Sequence, residues 1–99
     1  MKEKIYTFNE REYKLIKDYK DAFAKDTTES KMTDYFNDFD YVVGDWSYGS
    51  LRLKGFCKKE NKRHSKINSF ENLDDYIKNN CAYDCKYFVL EKEEKQEIK

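Results

Sequence analysis

"DYVVGDWSYGSLRLKGF", residues 40–56, decides the architecture of this chain. Its apolar residues alternate on either side of Tyr48-Gly49, the signature of two strands joined by a tight turn. With a two-residue turn there, Trp46 faces Leu51, Asp45 faces Arg52, Gly44 faces Leu53 and Val43 faces Lys54. Val42, Gly44, Trp46, Leu51, Leu53 and Gly55 then share one face, which is apolar and belongs to the core. On that face the indole of Trp46 is expected to lie over the bare Gly44. The reverse face carries Tyr41, Val43, Asp45, Arg52, Lys54 and Phe56, with Asp45 and Arg52 as a cross-strand ion pair.

Outward from the hairpin the patterns are more mixed. Residues 3–8, "EKIYTF", alternate as a short strand. Asn9 precedes Glu12 by three positions, a capping-box spacing, and Phe8 and Tyr13 occupy the positions of a hydrophobic staple. Ile16, Tyr19 and Phe23 follow at a period of 3.6, with Leu15 and Ala22 beside them, and predict a helix over 10–24. Met32, Tyr35, Phe36 and Phe39 predict a second helix over about 29–38. Residues 57–67 lack apolar periodicity and read as an exposed loop. A third helix over 70–80 starts near Asn68 or Ser69, takes Glu71 as its capping partner, and buries Leu73, Tyr76 and Ile77. "YFVL", 87–90, is apolar on both faces, as a central strand should be. The expected fold is therefore α+β. It has a small mixed or antiparallel sheet of three to four strands, including the central hairpin 41–56, packed with about three helices. Residues 1–91 are expected to form one globular domain and 92–99 a charged tail.

Composition narrows the function classes. Charged residues are 40% of the 99, a share that suggests disorder, but nine Tyr, seven Phe and one Trp supply a core of rings that disordered chains lack. Twenty basic and twenty acidic residues cancel, which argues against a general polyanion binder. The charges are segregated, however. Asp26, Glu29, Asp34, Asp38, Asp40 and Asp45 stand against Lys31 alone, and Arg52, Lys54, Lys58, Lys59, Lys62, Arg63 and Lys66 stand against Glu60 alone. Two surfaces that attract each other, or a basic loop that meets an acidic or phosphate partner, both follow from this. No apolar segment after Met1 resembles a signal peptide or a membrane span, and three cysteines suggest free thiols in a reducing compartment. The expected location is the cytoplasm.

Two sequence blocks resemble a known family. Gly44-Asp45-Trp46, Tyr48-Gly49, Leu51-Arg52-Leu53-Lys54-Gly55-Phe56, and Cys81-x3-Cys85 followed by Tyr87-Phe88 are similar to the YutD family of small proteins from low-GC Gram-positive bacteria. The resemblance spans nearly all of residues 5–91. It implies a cytosolic α+β domain of unknown function, with no established activity and so no catalytic residues to transfer. Cys57 and His64 fall outside the shared pattern.

The residues themselves offer little chemistry. Cys81, Cys85, Cys57 and His64 have the donor types of a structural zinc site, but the pair is spaced more widely than the usual C-x2-C, and small buried thiols need no metal. For redox work only Lys86 stands near to lower a thiol pKa. His64 lies in a lysine-rich loop without an orienting carboxylate. Gly44, Gly49 and Gly55 are spaced as sheet glycines, not as a phosphate loop. No catalytic residue, metal or cofactor is assigned.

Two binding classes survive. One is a non-catalytic module that docks a protein partner through the reverse face of the hairpin or the third helix. The other binds RNA, with Tyr41, Tyr48 or Phe56 stacking on bases while Arg52, Lys54, Lys58, Lys59, Lys62 and Arg63 neutralise phosphates.

Overall fold

A computed structural model describes residues 4–47, 49–65, 68–80 and 86–93. Five antiparallel strands form one sheet in the order β1-β2-β5-β3-β4, where β1 is Lys4–Phe8, β2 Arg11–Tyr19, β3 Tyr41–Ser47, β4 Ser50–Phe56 and β5 Tyr87–Lys92. Among the described residues two short α-helices accompany it, α1 (Lys25–Lys31) and α2 (Leu73–Asn80). The described residues also include 3-10 turns at Asp34–Asp38 and Phe70–Asn72. The expected sheet of three to four strands under three helices is thus corrected to a mostly β protein.

The hairpin β3–β4 pairs in the register written from the sequence, from Tyr41 opposite Phe56 to Ser47 opposite Ser50. Gly49 takes φ +79° at its turn, a region that L side chains rarely adopt, while Tyr48 lies outside the described residues. One detail differs. The ring over Gly44 is that of Phe88, its cross-strand partner on β5, and Phe39 covers Gly55 in the same way. Trp46 instead donates its indole N–H to the carbonyl of Ala22 at 2.8 Å, tying the sheet to the segment that crosses it.

The largest correction concerns residues 10–24. Arg11–Tyr19 of this stretch form β2, which is joined to β1 through Asn9-Glu10, both left-handed at φ +53° and +66°. A two-residue hairpin turn of that hand asks for positive φ at both positions, and Asn tolerates it. The side chain of Asn9 donates to Asp34 Oδ1 at 2.8 Å and does not cap a helix. Phe8 and Tyr13 do meet, at 6.1 Å between ring centroids, but across a hairpin. Helical periodicity was imitated by a β-bulge. The register with β5 slips between Leu15 and Lys17, so Tyr13 and Leu15 face one side while Ile16, Lys17 and Tyr19 face the other. Apolar residues at 13, 16 and 19 then fall three apart without any helix. Since Glu10 carries a side chain where glycine is favoured, Glu10→Gly is expected to raise the unfolding free energy by up to ~1 kcal/mol. In a helix the same change would lower it. Urea denaturation distinguishes the two signs.

The sheet separates two apolar clusters. On the first face Phe8, Tyr13, Val42, Leu51, Phe88 and Leu90 pack beneath Ala22, Met32, Phe36 and Phe39 from the crossing segment. Met32 is extended and stops α1. The predicted helix over 29–38 is therefore split into α1, shifted toward the N-terminus, and a 3-10 turn. On the second face Tyr41, Val43, Phe56 and Val89 pack beneath Phe70, Leu73, Tyr76 and Ile77 of the 3-10 turn and α2. Ser69 caps that unit by accepting from the backbone N–H of Glu71.

Candidate functional site

The second face was the candidate binding surface, and α2 closes the part that the hairpin contributes. Tyr41 stacks under Phe70 with centroids 3.6 Å apart and planes 11° from parallel. Phe56 is 1% exposed and meets Phe70 and Tyr76 edge-on. Neither ring can receive a base in this arrangement. Burial, followed by the nearby Glu91 carboxylate, pushes the Tyr41 phenol above its ordinary pKa. Lys54 is half-buried, with its ammonium 5.4 Å from the Phe56 ring centroid and 5.8 Å from that of Tyr76.

Asp45 is the centre of this covered region. Its carboxylate is fully buried, accepts from Arg52 Nε at 2.8 Å through Oδ1, and accepts from the Tyr76 hydroxyl at 3.2 Å through Oδ2. The cross-strand pair expected from the hairpin therefore gains a third member from α2. Burial, then the Asp45 charge, pushes the Tyr76 phenol up to about 12. The Arg52 side chain is 44% exposed, so one end of the pair reaches water.

The basic segment also finds its acidic counterpart inside the chain. Arg63 pairs with Asp38 at 3.1 Å, and Lys59 with Glu71 at 3.0 Å. Asp40 Oδ2 accepts from the Lys58 backbone N–H at 2.8 Å and from Asn61 Nδ2 at 3.0 Å. The Lys58 ammonium stands 4.0 Å from Glu91. Lys62 is exposed. Asn68 closes the loop, accepting from Ser65 N and donating to the Arg63 carbonyl. The segment expected to be a plain exposed loop is thus laced to the sheet. A polar cleft of about 350 Å³ remains between Asp40, Lys58, Glu60 and Asn61.

For the thiols, Cys57 is buried and its backbone pairs with Asn68 and Phe70, while Cys81 and Cys85 lie outside the described residues. Burial pushes the Cys57 thiol up, away from the thiolate that a nucleophile needs. His64 Nε2 is buried without a hydrogen-bond partner among the described residues, contrary to a solvated ring.

What the sequence reading missed is the other half of the second face. Ile5 on β1 and Ile16, Lys17 and Tyr19 on β2 share the side of the sheet that α2 covers, but they lie beyond α2. Ile5, Ile16 and Tyr19 are three of the four exposed large apolar side chains among the described residues. Tyr19 lies against Tyr87 at 5.5 Å, with Lys17 over the Tyr87 ring and Lys20 over the Tyr19 ring. The bulge at Ile16, invisible without the β5 partner, puts these residues together. No helix among the described residues is long and apolar enough to cross a membrane.

Comparison with known proteins agrees with the two sequence blocks. Residues 7–91 match the family described as "Putative antitoxin YutD-like". The chain is 40% identical over 81 residues to "Putative antitoxin YutD" of Bacillus subtilis (strain 168), covering 82% of this chain and 89% of that protein. Its fold is similar to the solution NMR structure of protein yutD from B. subtilis, with a TM-score of 0.79 and 36% identity over 99% of this chain and 89% of that one. The chain belongs to the YutD-like family.

Proposed function

We propose that this protein is a non-catalytic protein-interaction module, and that its partner docks on the open half of the second sheet face. The observation that carries this reading is the concentration of Ile5, Ile16 and Tyr19 on one side of β1–β2, level with a helix that covers only the neighbouring strands. Two strands span roughly 10 Å, the width of one helix, so the uncovered strip matches one further helix laid beside α2. The lysines over Tyr19 and Tyr87 suit a partner with acidic flanks. The word "antitoxin" in the relatives' names fits a role exercised by binding a protein.

RNA binding is the weaker reading. Tyr41 and Phe56 are buried, and Arg52, Lys59 and Arg63 already have acidic partners. Affinity capture from lysate, read for both protein and RNA, compares wild type with two folded variants. One carries Ile5→Ser, Ile16→Ser and Tyr19→Ser. The other carries Glu at Lys58, Lys59, Lys62 and Arg63. A protein retained by wild type is expected to bind the first variant at least about tenfold more weakly, as for hot-spot loss, and the second unchanged. Salt-sensitive RNA retention abolished only by the charge reversal would overturn the proposal.

A further inference from the structure

The sheet ends at β1, and among the described residues nothing pairs with the outer edge of that strand. Phe8 and Arg11 flank the two-residue turn at Asn9-Glu10 and face each other in the register, so they exchange both of their backbone hydrogen bonds. Alternation then assigns the N–H and C=O groups of Phe8, Tyr6 and Lys4 to β2 and turns those of Ile5 and Thr7 outward. Ile5 and Thr7 are both exposed, Ile5 by 52%. An open ladder of this kind is a template for another strand.

The strand is complementary to itself. Related by a two-fold axis through Tyr6 and laid antiparallel, a second β1 sets Ile5 opposite Thr7, Tyr6 opposite Tyr6 and Lys4 opposite Phe8. Each of the two Ile5–Thr7 pairs then closes two hydrogen bonds, because these are the residues whose backbone faces out. On the second face the new cross-strand pairs are β-branched. On the first, the two Tyr6 rings, each 4.7 Å from Phe23 in its own chain, meet in the closer, non-bonded kind of pair. Charge selects this register over its neighbours. Within one chain Lys14 stands opposite Ile5 and Glu12 opposite Thr7, so each row of the joined sheet reads Lys14, Ile5, Thr7, Glu12, with unlike charges at its ends. An axis through Ile5 would align Lys14 with Lys14, and one through Thr7 would align Glu12 with Glu12. Lys14 also pairs with Glu93 in its own chain at 3.4 Å, so these rows bias the register and the hydrogen bonds supply the affinity.

We propose that β1 is a self-association strand, through which two copies of this chain pair antiparallel and join their five-stranded sheets into one. The two open halves of the second face then adjoin, so Ile5 and Ile16 of both copies lie on one side of a continuous sheet. A strand of five residues buries well under the roughly 1,000 Å² that stable complexes exceed. Association is therefore reversible, half complete at a protein concentration on the order of 0.1 mM. The contact uses the rim of β1 and not the side chains of the β1–β2 face, so either reading can fail while the other stands.

Sedimentation equilibrium of the full chain from about 0.01 to about 1 mM tests it, with an apparent mass expected to rise from one chain toward two. Over the same range the Ile5 and Thr7 amides should shift and gain protection from exchange. An isotope-filtered NMR spectrum of mixed labelled and unlabelled protein should show Tyr6 of one copy against Tyr6 of the other. Thr7→Pro deletes an outward N–H without touching the ladder to β2. Thr7→Lys keeps the backbone intact, gains Glu12 as an opposite charge in its own chain, and puts an edge-blocking lysine into the junction. Each is expected to raise the dissociation constant at least about tenfold, and the lysine variant decides the matter if the proline variant does not fold. Ile16→Ser, which alters the face alone, should associate as wild type does. A single-chain mass at about 1 mM, intermolecular contacts that avoid β1, or undiminished association of Thr7→Lys would overturn the inference. Association lost in Ile16→Ser but kept in Thr7→Lys would overturn it as well, and would move the contact to the face.

Discussion

Replacing Gly44 by alanine is expected to lower the unfolding free energy by about 3 kcal/mol, at the upper end of ordinary overpacking costs. For a chain of this length that corresponds to a fall in melting temperature of roughly 12–20 °C. The added methyl would overlap the Phe88 ring, whose Cε1 atom lies 2.9 Å from the new Cβ and whose Cζ and Cε2 lie closer still. Phe88 cannot step aside cheaply. It is fully buried, and its other side meets Phe23 edge-on at 5.1 Å. The conflict is local to one pair, so shortening the ring should relieve it. In the double variant Gly44→Ala with Phe88→Leu, the combined loss is expected to be smaller than the sum of the single losses by about 1 kcal/mol or more. Strict additivity, or an alanine variant within about 0.5 kcal/mol of wild type, contradicts the close approach of ring and backbone.

Removing the buried carboxylate should cost nearly as much. Asp45→Ala is expected to destabilise by about 2–3 kcal/mol, because it removes the buried carboxylate that accepts from both the Tyr76 hydroxyl and Arg52 Nε. The guanidinium is half in water and can be resolvated, which holds the loss below that of a fully buried pair. The same triad gives a pH signature at the alkaline end. The Tyr76 pKa is raised in the folded chain from 10.0 to about 12, so between those values the native state holds a proton that the unfolded chain has released. Its contribution to stability is therefore complete below about pH 10 and is lost as pH rises toward about 12. Tyr13 and Tyr41 shift in the same direction, so wild-type stability falls in this window from more than one source. Tyr76→Phe should flatten part of that fall. Denaturant midpoints measured from pH 8 to about 11.5 in both proteins check it, and parallel curves would remove Tyr76 from the account.

These effects show which features were legible early. The hairpin could be read because alternation and a turn glycine are local, and a strand's own residues state which way they point. Its register then carried the Asp45–Arg52 pair without further information. The segment after Asn9 could not be read this way. Tyr13, Ile16 and Tyr19 satisfy a helical period as well as they satisfy a bulged strand, and the Asn9-to-Glu12 spacing is shared by a helix cap and a hairpin turn. The choice between them lies in β5, more than sixty residues away, which offers β2 a ladder that no isolated window contains.

The candidate surfaces divide in the same way. Tyr41, Phe56, Lys54 and Arg52 were correctly placed on one face, but whether that face met water depended on where α2 came to rest. Exposure is a property of what packs opposite, and local periodicity does not record it. Covering the β3–β4 side moved the open apolar area to Ile5, Ile16 and Tyr19. Short-range stereochemistry was enough to write the central ribbon and its ion pair. The strand count, the bulge and the covered face were settled by contacts between residues far apart in the chain, where hydrogen-bonding groups and rings find partners that no neighbour can supply.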